Sequence, residues 1–319
     1  MKECIHCNLC KKHCSFLEKY DIDLSEFEKR PELAYHCFLC GKCKEVCPRD
    51  IDGRKIAQEH RQKYVQKNGI EKLKSEYKGL LWEKYPYKFS NYRHANQTSV
   101  LFMGCNFTAF FPKTAQFLTK EFQKRGMGVL FECCQKPVAE LGLEKEAETQ
   151  IARMDARLES QGVTELIVVC PNCYYFLRGK TKLSLVSIYR KLEELGIGNL
   201  LERDLPFYYP CPDREEHIFI NDIRKFLKGK EKHAFPQIQC CGLGGSAAMH
   251  EKKLATEMSE LVQSTGEKQL YTYCASCISN FRRNGFQYAE HVLTHILGIE
   301  EKIPLGVTSV VNRARYKWK

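Results

Sequence analysis

Cysteine is the residue type that most constrains what this chain can become. The 319 residues contain 18 cysteines, and most of them recur at short, regular spacings. The chain begins Met-Lys-Glu-Cys with no apolar stretch, so we expect no signal peptide and a cytoplasmic location. Outside an oxidising compartment, cysteines at regular spacing indicate metal or redox chemistry rather than a disulfide scaffold. No run of 18 apolar residues occurs, so we expect no transmembrane helix.

The first eight cysteines form two runs with the spacing C-x2-C-x2-C-x3-C, and Pro48 follows the second run. This spacing is typical of bacterial ferredoxin sequences with two [4Fe–4S] cubes, in which each run gives its fourth cysteine to the other cube. Zinc is the alternative, but it favours two pairs of ligands over three evenly spaced cysteines plus one. Ser15 stands where a proline would follow the first run. The predicted first cube site is Cys4, Cys7, Cys10 and Cys47, and the predicted second cube site is Cys37, Cys40, Cys43 and Cys14.

The other ten cysteines form two similar sets of five. Each set is a single cysteine, then a Cys-Cys doublet, then a C-x2-C pair, and equivalent positions lie about 105 residues apart. That period is too long for a solenoid repeat and predicts two homologous domains. The first five-cysteine set is Cys105, Cys133, Cys134, Cys170 and Cys173, and the second five-cysteine set is Cys211, Cys240, Cys241, Cys274 and Cys277.

Hydrophobic patterning places most of these ten cysteines just after short strands. We predict strands at 99–103, 129–131, 165–169, 206–209 and 270–273, one further strand at Ile238, and helices over 114–125, 138–160, 218–227 and 247–262. Open α/β sheets place their functional sites at the carboxyl ends of strands. Backbone N–H groups at the following helix N-termini can stabilise anionic sulfur.

These motifs carry a resemblance to a known family. Cys240-Cys241-Gly242, with Gly244 and Gly245 after it, resembles the CCG cysteine-rich domain, and Gly104-Cys105 matches its first motif. The family includes the B-type catalytic subunit of heterodisulfide reductase and iron–sulfur subunits of anaerobic glycerol-3-phosphate, lactate and glycolate oxidation. The ferredoxin-type region resembles the C-type subunit of the reductase. The resemblance implies a non-cubane [4Fe–4S] cluster in one or both five-cysteine sets, with a disulfide cleaved between two such clusters.

The same resemblance implies the fold and its division. We expect an α+β or α/β chain in which a small helical ferredoxin domain with two cubes precedes two duplicated, Rossmann-like CCG domains. The expected boundaries are 1–52 for the ferredoxin-like domain, 53–98 for a helical, aromatic and basic connector, 99–203 and 204–300 for the two CCG domains, and 301–319 for a basic tail. All ten cysteines of the two sets are the candidate catalytic ligands.

Two positions depart from the family pattern. Gln135 stands where the first doublet would be followed by glycine, and a glutamine would be strained there if the backbone requires a positive φ. Pro212 follows Cys211 in place of the histidine that many relatives have. The first cluster is therefore open to a different geometry, and the substrate preferences of relatives do not transfer.

The function implied is an iron–sulfur oxidoreductase of an anaerobe. Electrons from a flavoprotein or ferredoxin-type donor would pass through two cubes to CCG clusters that reduce a disulfide or a related sulfur substrate. The alternative is a non-catalytic subunit that links a flavin dehydrogenase to quinone. The sequence shows no flavin or nicotinamide motif, so both require a redox partner. Peripheral membrane attachment through that partner and homo-oligomerisation stay open, as do donor, acceptor, substrate and direction.

Several other features have simpler explanations. The net charge of +11 lies mainly in 51–98 and the tail, and no nucleic-acid motif accompanies it. We expect the aromatic segment 80–93 to pack as a connector, ahead of partner docking or single-strand stacking. We expect the end of the chain, 312–319, to be solvated. His291 and His295 could bind zinc as an i, i+4 pair, but ordinary roles are favoured for them and for His6, His13 and His36. Gly242, Gly244 and Gly245 are assigned to close backbone approach to a cluster rather than to a nucleotide loop.

Overall fold

The computed structural model describes residues 3–318. A helical N-terminal region precedes two sheets, each built around parallel strands and flanked by helices, so the α/β prediction is confirmed at the level of the sheets. None of the helices within these residues is both long enough and apolar enough to cross a membrane.

The N-terminal region consists of short helices around cysteine loops, followed by a longer helix. Its helices are α1 (Leu9–Lys12), α2 (Ser15–Lys19), α3 (Leu24–Glu28), α4 (Lys42–Glu45), α5 (Gly53–Asn68), α6 (Ile70–Glu76) and α7 (Lys78–Lys84), with a 3-10 segment at Pro31–His36. Asp23 begins α3 with a capping box, in which its carboxylate accepts from Ser25 N and Glu26 N while Glu26 bonds back to Asp23 N. This cap fixes the loop that carries Asp23 beside Cys4.

The first sheet follows the connector. Its strands are β1 (Asn91–His94), β2 (Ser99–Phe102), β3 (Gly128–Phe131), β4 (Glu165–Val168) and β5 (Ser184–Ser187), and its helices are α8 (Gly104–Phe110), α9 (Pro112–Lys124), α10 (Lys136–Ala139), α11 (Glu144–Glu159), α12 (Pro171–Leu177) and α13 (Ile188–Glu194). The strand order is β1-β3-β2-β4-β5. Only the edge strand β1 runs antiparallel to its neighbour among these described strands.

The second sheet repeats this arrangement without the antiparallel edge strand. Its strands are β6 (Leu205–Phe207), β7 (Glu231–His233), β8 (Leu270–Thr272) and β9 (Ala289–His291), and the helices are α14 (Ile218–Ile223), α15 (Lys252–Ser264), α16 (Ala275–Arg283), α17 (Val292–Ile296) and α18 (Val307–Arg315), with 3-10 segments at Cys211–Asp213, Arg224–Phe226 and Gly244–Met249. The order β7-β6-β8-β9 matches β3-β2-β4-β5 strand for strand. The duplication seen in the cysteine spacing therefore extends to topology.

One apolar core runs through both sheets, and it includes Leu101 and Ile167 from the first sheet and Phe207 from the second. A buried carboxylate joins the halves. Asp213 accepts hydrogen bonds from the hydroxyls of Tyr175 in the first half and Tyr273 in the second, both at 2.6 Å. The two halves are thus a single packed unit, which fixes the relative positions of their cysteines.

Two predicted elements differ from the structure, one in each half. The helix expected over 138–160 is two helices, α10 and α11, because the chain turns at Gly142, where φ is +90° and a Cβ would lie 2.6 Å from the Arg61 backbone. The strand expected at Ile238 is wrong. Its place in the sheet is taken by β7, several residues earlier, and Ile238 lies buried in the loop that leads to Cys240.

Two more expectations are corrected near the C-terminus. The helix expected over 247–262 is a 3-10 segment followed by α15, because Gly245 and Ser246 have left-handed backbone conformations. The end of the chain is only partly solvated over 312–318, and Lys319 lies outside the described residues. Helix α18 packs on α8, Asn312 Nδ2 donates to Ala109 O at 3.1 Å, and Tyr316 is buried.

Candidate metal centres

The first cube site is a small cavity near the surface. It is lined by Cys4, Cys7, Cys10 and Cys47, together with Ile5, Asn8, Asp23, Leu24, Pro48, Arg49 and Ile51. Cys10 is buried, whereas Cys7 is exposed. The backbone amides of His6 and Ile51 donate to Cys4 Sγ and Cys47 Sγ at 3.4 and 3.5 Å. The fold thus brings one cysteine of the second run to three of the first.

A carboxylate borders this site. Asp23 is 3% exposed, and its Oδ2 lies 3.9 Å from Cys4 Sγ and 2.6 Å from His6 Nδ1. The pKa of Asp23 is lowered, since hydrogen bonds from Glu26 N, His6 and Ser25 outweigh the burial that would raise it. The ligand atoms of Cys4, His6 and Asp23 also lie within 4.8 Å of one another, so a single ion is an alternative occupant that would compete for Cys4.

The second cube site lies deeper. Its four cysteines, Cys14, Cys37, Cys40 and Cys43, are all buried and belong to one apolar cluster. Burial raises the pKa of Cys37 to about 11 and that of Cys43 well above its ordinary value, where neighbouring Cys14 adds to the effect. Four buried thiols in one cluster favour a site in which metal replaces the protons.

The backbone around the second cube site fits a bulky anionic group. Leu39 N donates to Cys37 Sγ at 3.4 Å, as expected of an amide that faces thiolate sulfur. A Cβ on Gly53 would lie 2.7 Å from Cys43 Sγ, so only glycine leaves room for that sulfur. These features suit a cube as well as the cysteine count does.

The second five-cysteine set adjoins the second cube site. The thiols of Cys40 and Cys240 interact directly, and this interaction lowers the pKa of Cys40 to about 6. Gly242 N donates to Cys240 Sγ at 3.2 Å, and Met258 Sδ lies at the same distance on the other side. Cys241, Cys274 and Cys277 are buried beside them, and the Cys277 thiol interacts with those of Cys241 and Cys274.

The first five-cysteine set is also brought together. Its thiols interact in the sequence Cys105–Cys133–Cys134–Cys173–Cys170. The interactions with Cys133 and Cys173 lower the pKa of Cys134 to about 5. A Cβ on Gly104 would lie 2.9 Å from Cys173 Sγ.

The connector and the C-terminal helix supply charge at this set. Lys84 is 7% exposed, and burial alone would lower its pKa, yet the nearby Cys105 and Cys133 thiols and Glu83 raise it. Glu83 holds Lys84 at 2.6 Å and Arg313 at 3.0 Å, while the Tyr87 ring lies 5.0 Å from Lys84 Nζ. Packing of the aromatic segment against the first five-cysteine set supports its interpretation as a connector.

The two five-cysteine sets meet at a single edge. The thiols of Cys170 and Cys274 interact across the boundary between the halves. Asn172 Nδ2 donates to Cys274 Sγ at 3.3 Å, and Asn106 Nδ2 donates to Ser276 Oγ at 2.7 Å. The asparagines of the first half therefore reach directly into the site of the second.

Gln135 does adopt the left-handed conformation, with φ of 67°, as does its counterpart Gly242 with φ of 81°. The Gln135 side chain is buried, and its Oε1 has no hydrogen-bond partner among residues 3–318. Gly244 and Gly245 serve close packing. A Cβ on Gly244 would lie 2.2 Å from Phe38 O, and a Cβ on Gly245 would lie 2.7 Å from Cys37 O. Both carbonyls belong to the loop of the second cube site.

The histidines have ordinary partners. His291 Nδ1 accepts from Leu293 N at 3.3 Å, whereas His295 Nε2 pairs with Glu290 at 2.5 Å, so the i, i+4 pair does not converge. His36 Nδ1 lies 2.7 Å from Glu251. His13 is exposed beside Cys14. None of these contacts makes a histidine a fifth ligand of a cysteine site.

Sequence reasoning missed two arginines. Arg61 is fully buried and bonds the carbonyl oxygen of Cys37, while Arg214 lies beside Cys211, Cys40 and Cys240. Neither belongs to a motif or to the regular cysteine spacing, so the sequence carries no signal that would have singled them out.

Comparison with known proteins finds the same domain in both halves. The model of the CCG cysteine-rich domain matches residues 99–178 and again 206–282. An uncharacterized iron–sulfur protein of Methanococcus maripaludis is 23% identical over 94% of this chain and 66% of its own length. A similar protein of Methanocaldococcus jannaschii is 21% identical, over 83% and 60%. A fumarate reductase (CoM/CoB) subunit of Methanothermobacter marburgensis is 22% identical, over 87% and 66%.

The chain thus spans 60 to 66% of the length of these curated relatives. Among solved structures, an aspartate racemase of Picrophilus torridus covers 64% of this chain and 96% of its own, with 14% identity and a TM-score of 0.30. At that score the likeness carries no argument about fold or function.

Proposed function

Since both halves match the CCG cysteine-rich domain and the curated relatives include iron–sulfur proteins, we propose that this chain carries electrons from a partner protein to a disulfide or related sulfur substrate. The cysteine sets assigned above are its proposed cluster ligands, in two cubes and two CCG clusters. The region 1–52, the connector 53–98, the halves 99–203 and 204–300 and the segment 301–319 are its proposed divisions.

One observation carries this proposal, namely that the four cysteine sites adjoin one another in series. Cys10 of the first cube site lies in the same apolar cluster as the four cysteines of the second. The second cube site touches the second five-cysteine set through Cys40 and Cys240. That set touches the first through Cys274 and Cys170. Of the four sites, the first cube site has the exposed cysteine, Cys7. A series with one exposed end and a buried pair of similar sites supports electron entry at the surface and chemistry at the pair.

Iron–sulfur clusters at these cysteines would supply one-electron transfer. The chain itself excludes water, because nearly all of the cysteines beyond the first cube site are buried. Cleavage of a disulfide breaks one S–S bond and consumes two electrons from the donor and two protons from solvent, which yields two thiols. Asn172 and Asn106, at the boundary between the halves, are positioned to orient a sulfur substrate there.

The relative from Methanothermobacter marburgensis, named as part of a CoM/CoB fumarate reductase, supports an oxidoreductase role and a place in a complex. The proposal for this chain stops at the class of substrate, a low-molecular-weight disulfide or related sulfur compound. A relay from a flavoprotein to quinone is the competing function, and the same experiment separates the two.

The test is an anaerobic assay of the intact chain with reduced methyl viologen and a panel of low-molecular-weight disulfides. We expect viologen oxidation that depends on the disulfide, with two viologens oxidised per disulfide. Asn172→Ala should lower kcat at least about tenfold if the amide orients the substrate. The exposed variant Gln287→Ala, which lies away from the cysteines, serves as the control.

Failure to turn over any disulfide would contradict the proposal if the protein holds about sixteen irons per chain. Oxidation of the reduced protein by quinone analogues under the same conditions would then favour the relay. Stoichiometric zinc in place of iron would remove both functions.

A further inference from the structure

Two arginines, the fully buried Arg61 and the half-buried Arg214, lie within the series of sites without a carboxylate in contact. In the described part of the chain, no carboxylate oxygen lies within 4 Å of the guanidinium of Arg61 or Arg214. A buried cation without a counterion costs several kcal/mol, so such groups persist where an anion compensates them. Within residues 3–318 the candidates for that anion are the cysteine sites that both arginines border.

Arg61 occupies the junction of three segments. Its guanidinium donates to Ala34 O and Cys37 O at 2.9 Å, to Glu140 O at 2.6 Å and to Gly245 O at 3.0 Å. Every one of these acceptors is a neutral backbone carbonyl. The positive charge therefore remains uncompensated by its hydrogen bonds and acts on the second cube site, whose ligand Cys37 supplies one of them.

Arg214 lies between the second cube site and the second five-cysteine set. Its electrostatic partners are Cys211 of the set, the hydroxyl of Tyr208, Cys40 of the cube site and Cys240 of the set, and Nη2 donates to Tyr208 OH at 3.4 Å. Nη2 donates to Ile238 O at 3.1 Å, whereas the buried Nη1 has no partner among the described residues. A donor left free at this position suits sulfur of an anionic cluster on either side.

The first cube site differs in its local charge, because both a carboxylate, Asp23, and a cation, Arg49, line it. Asp23 Oδ2 lies 3.9 Å from Cys4 Sγ. The imidazole of His6, which neighbours Asp23, is 66% exposed and therefore open to solvent. Several basic groups near the inner sites are paired. Arg54 pairs with Asp52 and Glu215, and Lys136 pairs with Glu140. Glu83 pairs with both Lys84 and Arg313. Arg61 and Arg214 therefore lack the carboxylate partners that these basic groups have, whereas the first cube site has a carboxylate oxygen 3.9 Å from Cys4 Sγ.

We propose that Arg61 and Arg214 hold the second cube site and the second five-cysteine set at higher reduction potentials than the first cube site, which sets the direction of electron flow inward. A fixed cation stabilises the more negative, reduced state of a nearby cluster, and a fixed anion destabilises it. An electron that leaves the first cube site oxidises it by one unit and reduces the second by one. The donor is a low-potential flavoprotein or ferredoxin-type protein. The inference rests on the proposed function for its clusters but not on any sulfur substrate.

The test is a redox titration of the intact protein under anaerobic conditions, followed by electron paramagnetic resonance of each site. We expect the first cube site to be reduced at the lowest potential. In Arg214→Met, the reduced-to-oxidised ratio of the second cube site at a fixed potential should fall at least about tenfold. Arg214→Lys should restore most of it, and Asp23→Asn should raise that ratio at the first cube site.

Arg224→Met is the matched control, because Arg224 is about half exposed and already paired with Glu231. Its potentials should equal those of the parent. Equal potentials in Arg214→Met and the parent, with iron content retained, would overturn the proposal. If Arg214→Met binds no iron, Arg214→Gln, which keeps a hydrogen-bond donor without the charge, decides, and potentials equal to those of the parent in that variant overturn the proposal. A wild-type protein that shows the expected potentials but cleaves no disulfide would contradict only the proposed function.

Discussion

The two halves of the sheet region share strand order and cysteine positions but differ in what surrounds the cysteines. The first half has the Lys84–Glu83–Arg313 cluster, supplied by the connector and α18. The second half has Arg214 and direct contact with the second cube site. The two halves thus share their cysteine positions, whereas the charged groups around those cysteines differ. The second half contacts both the second cube site and the first half, so it is the junction of the series. The first half is the end of the series.

The residue after each doublet shows the same divergence. Gln135 and Gly242 both have positive φ, so the backbone of the two loops is alike. The glycine is required by space as well, because a Cβ there would lie 2.8 Å from Ala255 O. Gln135 shows that the first half has room for a side chain where the second has none.

The helix that follows the last strand of each half begins with a different cap. Ser187 accepts from Arg190 N at 3.1 Å at the start of α13, and His291 accepts from Leu293 N at 3.3 Å at the start of α17. Burial lowers the pKa of His291 to about 3. The second half therefore depends on a neutral imidazole, and the first does not.

The largest expected effect tests the difference between junction and end. Cys241→Ser and Cys134→Ser should each lose about four irons per chain. Cys241→Ser should also leave the first five-cysteine set unreduced by the donor, because that set is reached only through the second. Cys134→Ser should leave the second set fully reducible. Rapid-freeze paramagnetic resonance after mixing with a reduced donor measures the reduction of each five-cysteine set. Reduction of the first set in Cys241→Ser would contradict this order of the four sites.

A smaller effect tests the two doublet loops. Gly242→Ala should destabilise the protein by about 2 kcal/mol, because a left-handed non-glycine residue is strained and the added Cβ collides with Ala255 O. Gln135→Gly should change stability by about 1 kcal/mol or less, since relief of strain offsets the greater freedom of the unfolded chain. Thermal unfolding under anaerobic conditions measures both. Equal losses in the two variants would show that the loops are equivalent after all.

The smallest effect concerns the caps. The folded pKa of His291 lies below its unfolded value near 6.5, so the unfolded state binds more protons and stability falls as pH drops from about 6.5 towards 3. Between pH 7 and 5.5 we expect a loss of about 1.3 kcal/mol from this group. The electrostatic neighbours of His291 are Cys274 and His295, and burial dominates both.

Asn is a good helix cap without a titrating group, so His291→Asn should remove that pH dependence from chemical denaturation curves. His94→Asn, at an exposed position, is the control and should keep it. An identical slope in His291→Asn and the parent would show that the imidazole is not the acid-sensitive group.

Local regularity explains what could be predicted. The cysteine spacings predicted which cysteines the fold brings together, and short apolar runs predicted β2, β3, β4, β6 and β8 within a residue or two. The strand at Ile238 was wrong because a single buried apolar residue can lie in a loop. The prediction of a solvated tail was wrong for Asn312 and Arg313. Charge alone gives no sign that Asn312 contacts a neighbouring helix or that Arg313 contacts a buried carboxylate.

By itself the sequence determined which cysteines act together, the twofold repeat and the α/β class, because these depend on spacing along the chain. Only the tertiary structure decided the order of the four sites, since Cys40 and Cys240 are 200 residues apart and nothing local links them. The tertiary structure also determined that Arg61 and Arg214 lie beside the cysteine sites. Burial and the absence of a counterion arise from packing among distant segments, and a sequence does not display either before it folds.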